Sequence, residues 1–187
     1  MNNKIPETII LFILSVLLTD CAALNRTLEK QRERREKKIE EGYEAMKELA
    51  FSGLYYFEAT RAYGAGYASV DLTGGMYYLT VNYYDVQAYL PFFGVQYMAD
   101  MQIGSGISID GKLEDIMIEE SDSRRRVLVR FSVKSGSDNF IINLDIGPSA
   151  EANLTVSSTK RSTITYMGKV SPIEPEEEEE KKLHSHL

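Results

Sequence analysis

Histidine is nearly missing from this chain. The 187 residues hold two, His184 and His186, both close to the C-terminus. Everything before them lacks the side chain that most often serves as general base or metal ligand near neutral pH. Ser–His and Cys–His catalysis is thereby excluded from that stretch, and two histidines are too few to build a structural zinc site. We expect no cofactor and no metal. Cysteine is scarcer still. Cys21 stands alone, so an intramolecular disulfide cannot form. Tryptophan is absent, and so is any excess of positive charge. The net charge is −7, which argues against a nucleic-acid partner, because such a partner needs a basic field.

Also lacking is an apolar run of the roughly 20 residues that a membrane-spanning helix requires. The longest, Ile9 to Leu18, has ten and follows Lys4. That length fits the apolar region of a secretory signal. It ends in Leu18-Thr19-Asp20-Cys21, which resembles the lipobox of bacterial lipoproteins, where the cysteine thiol is acylated and the leader is removed just before it. Asp20 departs from that pattern, since a small uncharged residue normally precedes the cysteine. The expectation is a signal peptide over residues 1–20, with lipid on Cys21 as the link to a membrane. Two or more acyl chains anchor stably where one would be marginal. An ordinary secretory leader with Cys21 incidental accounts for the same residues. Ala22 carries no acidic retention signal and no acidic cluster follows Cys21, so the outer membrane, facing the periplasm, is the expected location.

Strong helix formers without proline run from Arg26 to Leu49 and predict a helix. Its first part, residues 26–38, carries seven Lys/Arg and three Glu and reads as a solvated spacer. Its basic charge could instead lie on anionic headgroups. Ile39, Tyr43, Met46 and Leu49 return at helical spacing and predict packing on the following domain. Residues 21–48 are therefore expected as a charged helical tether. At the other end, Glu174 to Lys182 holds six Glu and two Lys, so residues 172–187 are expected as a disordered acidic tail.

Between them, residues 49–171 change to a period of two. Phe57 and Ala59 alternate with Glu58 and Thr60. Val127, Val129, Phe131 and Val133 alternate with Arg126, Arg130, Ser132 and Lys134. Phe140, Ile142, Leu144 and Ile146 continue the pattern. Turn signals recur about every ten residues, among them Asp110-Gly111 and Gly136 to Asn139. Ile107 and Ile109 lead into the first of these turns, and Ile116 and Ile118 follow it. The reading is an all-β domain of about nine antiparallel strands, a sandwich or a barrel, with one face of each strand buried.

Pro91 to Gly106 interrupts the alternation with Phe92, Phe93, Tyr97 and two methionines. A segment so apolar either plugs one end of the β structure or lines a binding surface. Adjacent side chains point apart, so of Phe92 and Phe93 one is expected to be structural and one accessible. Seven of the 12 tyrosines cluster in the first three strands, as pairs at 55–56, 77–78 and 83–84 and singly at Tyr89. Within each pair one ring should enter the core and the other face out. Phe92, Phe93, Tyr97, Tyr56, Tyr78 and Tyr84 are therefore the candidate binding surface. Carboxylate chemistry by Asp110, Glu114, Asp115, Glu119, Glu120 or Asp145 is disfavoured, because all fall at turns or on polar strand faces. Ser157, Ser158, Lys160 and Arg161 suit an anion-binding loop, and a plain hairpin connection accounts for them equally.

The stretches Tyr89-Leu-Pro-Phe-Phe-Gly94, Gly106-Ile-Ser-Ile-Asp-Gly111 and Ser157 to Ser162 leading into Tyr166 resemble a family of uncharacterised lipoproteins from Bacteroidetes, known as a domain of unknown function. The likeness covers about Leu49 to Val170 with the lipobox and charged helix. Val95 departs from it where the family typically has Arg. The resemblance implies a compact β fold and an envelope location, and no activity. Together these readings point to a non-catalytic, lipid-anchored binding module with an envelope protein or glycan as partner. A structural lipoprotein of an envelope complex is the alternative, and an enzyme the least supported.

Overall fold

A computed structural model describes residues 7–64, 69–95 and 106–173, with side chains described from Arg26 onward except Thr27. The expected acidic tail lies almost wholly outside the described residues, as do Tyr97 and most of the aromatic loop. Among the described residues one helix precedes nine strands. Helix α1 spans Glu7–Ser52. The strands are β1 Leu54–Tyr63, β2 Val70–Asp71, β3 Tyr78–Asn82, β4 Asp85–Leu90, β5 Ile107–Ser121, β6 Arg126–Ser135, β7 Asp138–Ile146, β8 Glu151–Ser158 and β9 Ile164–Pro172. The helix thus begins earlier than the charged stretch from Arg26 predicts. The chain divides into two compact units, Met1–Glu40 and Glu41–Leu187, and the sheet lies in the second. Among the described residues no helix is long and apolar enough to cross a membrane.

The strands pair in the order β2-β1-β3-β4-β5-β6-β7-β8-β9, and β1 also pairs with β9. The result is a closed, eight-stranded antiparallel barrel, with β2 as the extra strand. Of the two all-β architectures expected, the barrel is the one formed. β2 and β3 occupy successive stretches of one β1 edge, opposite Arg61–Ala62 and Leu54–Glu58. The other β1 edge pairs with β9 from Tyr55↔Pro172 to Tyr63↔Thr165. Closure removes the edges that β1 and β9 would otherwise expose, and an eight-stranded interior is just wide enough to be filled by side chains. Tyr55, Phe57, Phe131, Leu144 and Tyr166 fill it, each at most 1% exposed.

Two irregularities bend the sheet into a ring. β1 carries a register shift against β9 between Ala59 and Arg61, and β5 carries one against β6 between Glu114 and Met117. Asp115, inside the second, has φ of 52°. Such bulges increase the local coil that closure needs.

The β5 strand corrects two expectations. Asp110-Gly111 is no turn: β5 runs through it, with Val86 opposite Gly111 and Asp110 opposite Gln87. Glycine stands there because a Cβ would meet the Lys134 carbonyl oxygen at 2.3 Å. A local turn signal and a close interstrand approach ask for the same residue, and only the packing tells them apart. Within the bulge Ile116 is 48% exposed, and Ile118 beyond it is half-buried, packed against the core rather than inside it. β4 ends its pairing at Lys112, and the rest of β5 pairs with β6 alone.

The last turns of α1 belong to the barrel unit. Tyr43 and Ala50 are buried, with Met46 and Leu49 packed against the core at helical spacing. Ile39 is 44% exposed and lies outside that stripe. At Gly42 the helix passes so close to the β7–β8 turn that a Cβ would meet the Pro148 carbonyl oxygen at 2.1 Å.

Candidate functional site

On the outer face of β1, β3, β4 and β5 the alternation turns polar and aromatic side chains to solvent. Tyr56 and Tyr78 sit diagonally across the β1–β3 pair, where Glu58 is opposite Tyr78. A diagonal neighbour is within reach of an aromatic side chain. Their rings stack with centroids 5.8 Å apart and planes at 19°. Tyr78 lies opposite Tyr89 of β4. The Tyr89 ring stacks on Tyr77, at 6.0 Å and 22°, and Tyr89 remains 52% exposed. Tyr77 precedes β3, and its ring lies over Gly75, where a Cβ would meet it at 2.2 Å. Beside this four-tyrosine strip an open groove of about 570 Å³ is lined by Met76, Tyr78, Gln87, Tyr89, Ser108 and Asp110. Met76 is 85% exposed at its rim.

The groove offers aromatic faces next to an amide, a hydroxyl and a carboxylate. Burial, then the Glu58 carboxylate, pushes the Tyr56 phenol above its ordinary range. Further along the same face the Lys112 ammonium pairs with Asp85. Glu58 on β1 and Asp110 on β5 add acids to this face, which disfavours anionic ligands. Neutral ligands with an apolar ring face and hydroxyls around its edge fit best.

Of the six candidate surface residues, Tyr56 and Tyr78 are brought together here. Tyr84 is not: it sits in the β3–β4 turn, 72% exposed, at the end of the hairpin away from Tyr89. Nor do all the tyrosine pairs split between core and solvent. Tyr55 is buried and Tyr56 half-buried, but Tyr77 and Tyr78 are both half-buried and Tyr83 and Tyr84 both exposed. Alternation holds only inside a strand, and Tyr77 and Tyr83 lie outside one, Tyr83 with φ of 52°. Tyr89, Tyr77 and Met76 were missed as surface residues. Tyr89 was legible, because Val86, Ala88 and Leu90 face inward and leave it outward.

Phe92 and Phe93 lie at the end of β4 and are both half-buried against the core, without the expected division into one structural and one accessible ring. Their segment is tied down on both sides. The Tyr166 hydroxyl donates to the Pro91 carbonyl at 2.6 Å. The Ser162 amide donates to Val95 O at 2.9 Å, and the Val95 amide to Ser162 Oγ at 3.0 Å. This part of the aromatic loop is thus fastened to β9 and to the β8–β9 connection.

The acids considered above are dispersed. Asp145 accepts from Arg126 Nε at 2.6 Å, and Glu120 pairs with Lys47 at 2.9 Å. Among the described residues no three acidic, cysteine or histidine side chains converge as a metal site. Ser157 and Ser158 serve the hairpin, the first against Thr163 at 3.0 Å and the second donating to Asp138 at 2.9 Å.

No curated protein matches the chain. Among solved structures, it is similar to a DUF4251 family protein from Bacteroides eggerthii DSM 20697, with a TM-score of 0.57 and 19% identity over 70% of this chain and 87% of that one. At that identity the likeness is one of fold. The family described as domain of unknown function (DUF4251) matches residues 37–170, and this chain belongs to it.

Proposed function

We propose that the protein is a non-catalytic binding module of the cell envelope that takes a neutral glycan on the tyrosine strip. The observation that carries this is the two stacked pairs Tyr56–Tyr78 and Tyr77–Tyr89 beside a groove edged by Gln87, Ser108 and Asp110. Rigid aromatic faces meet the apolar face of a sugar ring at little entropic cost, and the three polar side chains meet its hydroxyls. The scarcity of histidine supports binding over catalysis. The lipobox-like Leu18 to Cys21 and the resemblance to Bacteroidetes lipoproteins support a lipid anchor on Cys21 and a place on the periplasmic face of the outer membrane.

The test is calorimetric titration with neutral oligosaccharides of differing linkage. Tyr78→Ala and Tyr89→Ala should weaken binding at least about tenfold, or 1.4 kcal/mol. Tyr84→Ala, away from the groove, should bind as wild type. If no oligosaccharide binds, or if Tyr84→Ala is as impaired as Tyr89→Ala, the reading fails.

A second reading, a structural lipoprotein that docks an envelope complex, is favoured by Ile116 and Met117, 48% and 53% exposed on β5. Crosslinking in intact cells from these positions would recover a protein partner on that reading and none on the first.

A further inference from the structure

Arg161 lies in the connection between β8 and β9, with only 7% of its surface exposed. Burying a guanidinium is costly unless acceptors or an anion replace its water. A single acceptor does so here: Nη1 donates to the Gly106 carbonyl at 2.9 Å. The buried Nε–H has no acceptor. None of the ion pairs among the described residues includes Arg161. The Phe92 ring lies over the guanidinium, its centroid 5.5 Å from Cζ, which offsets part of the cost and leaves the hydrogen-bonding edge unserved.

Nearby polar groups are already engaged. The Pro91 carbonyl takes the Tyr166 hydroxyl, and Val95 is engaged with Ser162 through both its amide and its carbonyl. Asp138, the buried acid of the neighbouring hairpin, accepts from the Asn139 amide, Ser158 Oγ and Thr159 Oγ1 at 2.9, 2.9 and 3.2 Å. The fold has therefore spent its buried carboxylate on turn geometry and left the buried cation without one.

We propose that Arg161 is a binding site for the carboxylate of a small organic acid, received on its Nε edge beneath Phe92. Nε–H and the adjoining Nη2–H point in parallel and match the two oxygens of a carboxylate. One negative charge neutralises the guanidinium. A phosphate would bring a second charge beside Phe92 and Tyr166, at a larger desolvation cost. The same aromatic surroundings select an acid with an apolar or aromatic body. None of these residues lines the tyrosine groove, so this site stands or falls separately from the glycan reading.

The experiment follows the arginine Nε–H resonances of the full chain by NMR, with melting temperature alongside. Benzoate, acetate, phosphate and chloride are titrated at constant pH and ionic strength. Arg161→Lys, which keeps the charge and loses the fork, assigns the signal. Benzoate should shift that one signal saturably and raise the melting temperature, with acetate weaker and phosphate and chloride without effect. Arg161→Lys should lose at least tenfold in benzoate affinity. If the variant fails to fold, through-bond assignment of the wild-type spectrum identifies the signal instead. The proposal is overturned if no carboxylate shifts the signal, if all four anions act alike, or if Asp100→Asn, which removes the acid of residues 96–105, shifts it as far as benzoate does.

Discussion

The Tyr43 hydroxyl donates to Oδ1 of Asp122 at 2.8 Å, joining the last turns of α1 to the β5–β6 turn 79 residues away. Lys47 reinforces the junction, with Nζ 2.9 Å from Glu120 and 5.2 Å from the Tyr43 ring centroid. The end of the helix is thereby part of the barrel's hydrogen-bonding scheme.

This junction predicts an alkaline transition. Burial, then the hydrogen bond to Asp122, raises the Tyr43 phenol from 10.0 to about 12. Burial raises Tyr55 and Tyr166 as well, while the Arg161 charge pulls Tyr166 down. A phenol raised in the folded state contributes stability that is fully present below its unfolded value. That stability is lost as pH climbs through the folded value. Urea midpoints should therefore hold steady up to about pH 9 and fall between about 10 and 12. Tyr43→Phe should be less stable at neutral pH and fall less steeply over that range. A variant with the wild-type slope would show that Tyr43 is not among the titrating groups.

Close approach between strands makes two glycines indispensable. A Cβ at Gly111 would meet Lys134 O at 2.3 Å, and one at Gly168 would meet Glu58 O at 1.9 Å. Both obstacles are backbone, so the strands themselves must move. Gly111→Ala and Gly168→Ala should each cost about 1–3 kcal/mol, as overpacking does. Unfolding at the wild-type urea midpoint would contradict these contacts.

Phe92 and Phe93 are half-buried, whereas Phe57 is fully buried. Phe57→Ala should cost about 3–5 kcal/mol, and Phe92→Ala and Phe93→Ala about 1–3 kcal/mol each. Thermal melts of the three variants check the order. If Phe92→Ala and Phe93→Ala both melt with wild type, the loop is not a plug.

The anchor is tested by Cys21→Ser. The wild type should incorporate labelled fatty acid and fractionate with membranes. The variant should do neither and appear in the soluble periplasmic fraction. Membrane association that survives in the variant, together with an unlabelled wild type, would remove Cys21 from the account.

The all-β class and most core positions were legible because they depend on local pattern. Val127 to Val133 and Phe140 to Ile146 alternate, and the alternation fixes which face of each strand is apolar without reference to any partner. The helical stripe Tyr43, Met46 and Leu49 was legible on the same ground. Three of the four tyrosines in the strip lie in strands that could be drawn from the sequence, but their assembly could not. Tyr56, Tyr78 and Tyr89 meet only because the register sets Glu58 opposite Tyr78 and Tyr78 opposite Tyr89.

Sequence by itself therefore determined the period of each segment, the identity of the inward residues and the scarcity of groups for acid–base chemistry. Tertiary structure decided what depends on distance across the chain. It closed β1 on β9, turned Asp110-Gly111 from a turn into mid-strand, and sent Ile116 outward within a bulge. It also buried Arg161 beneath Phe92, a cation that in the sequence looked like one more polar residue of a hairpin. Periodicity is set by each residue's own backbone geometry and burial, whereas register, closure and the fate of a single charge are set by groups tens of residues away.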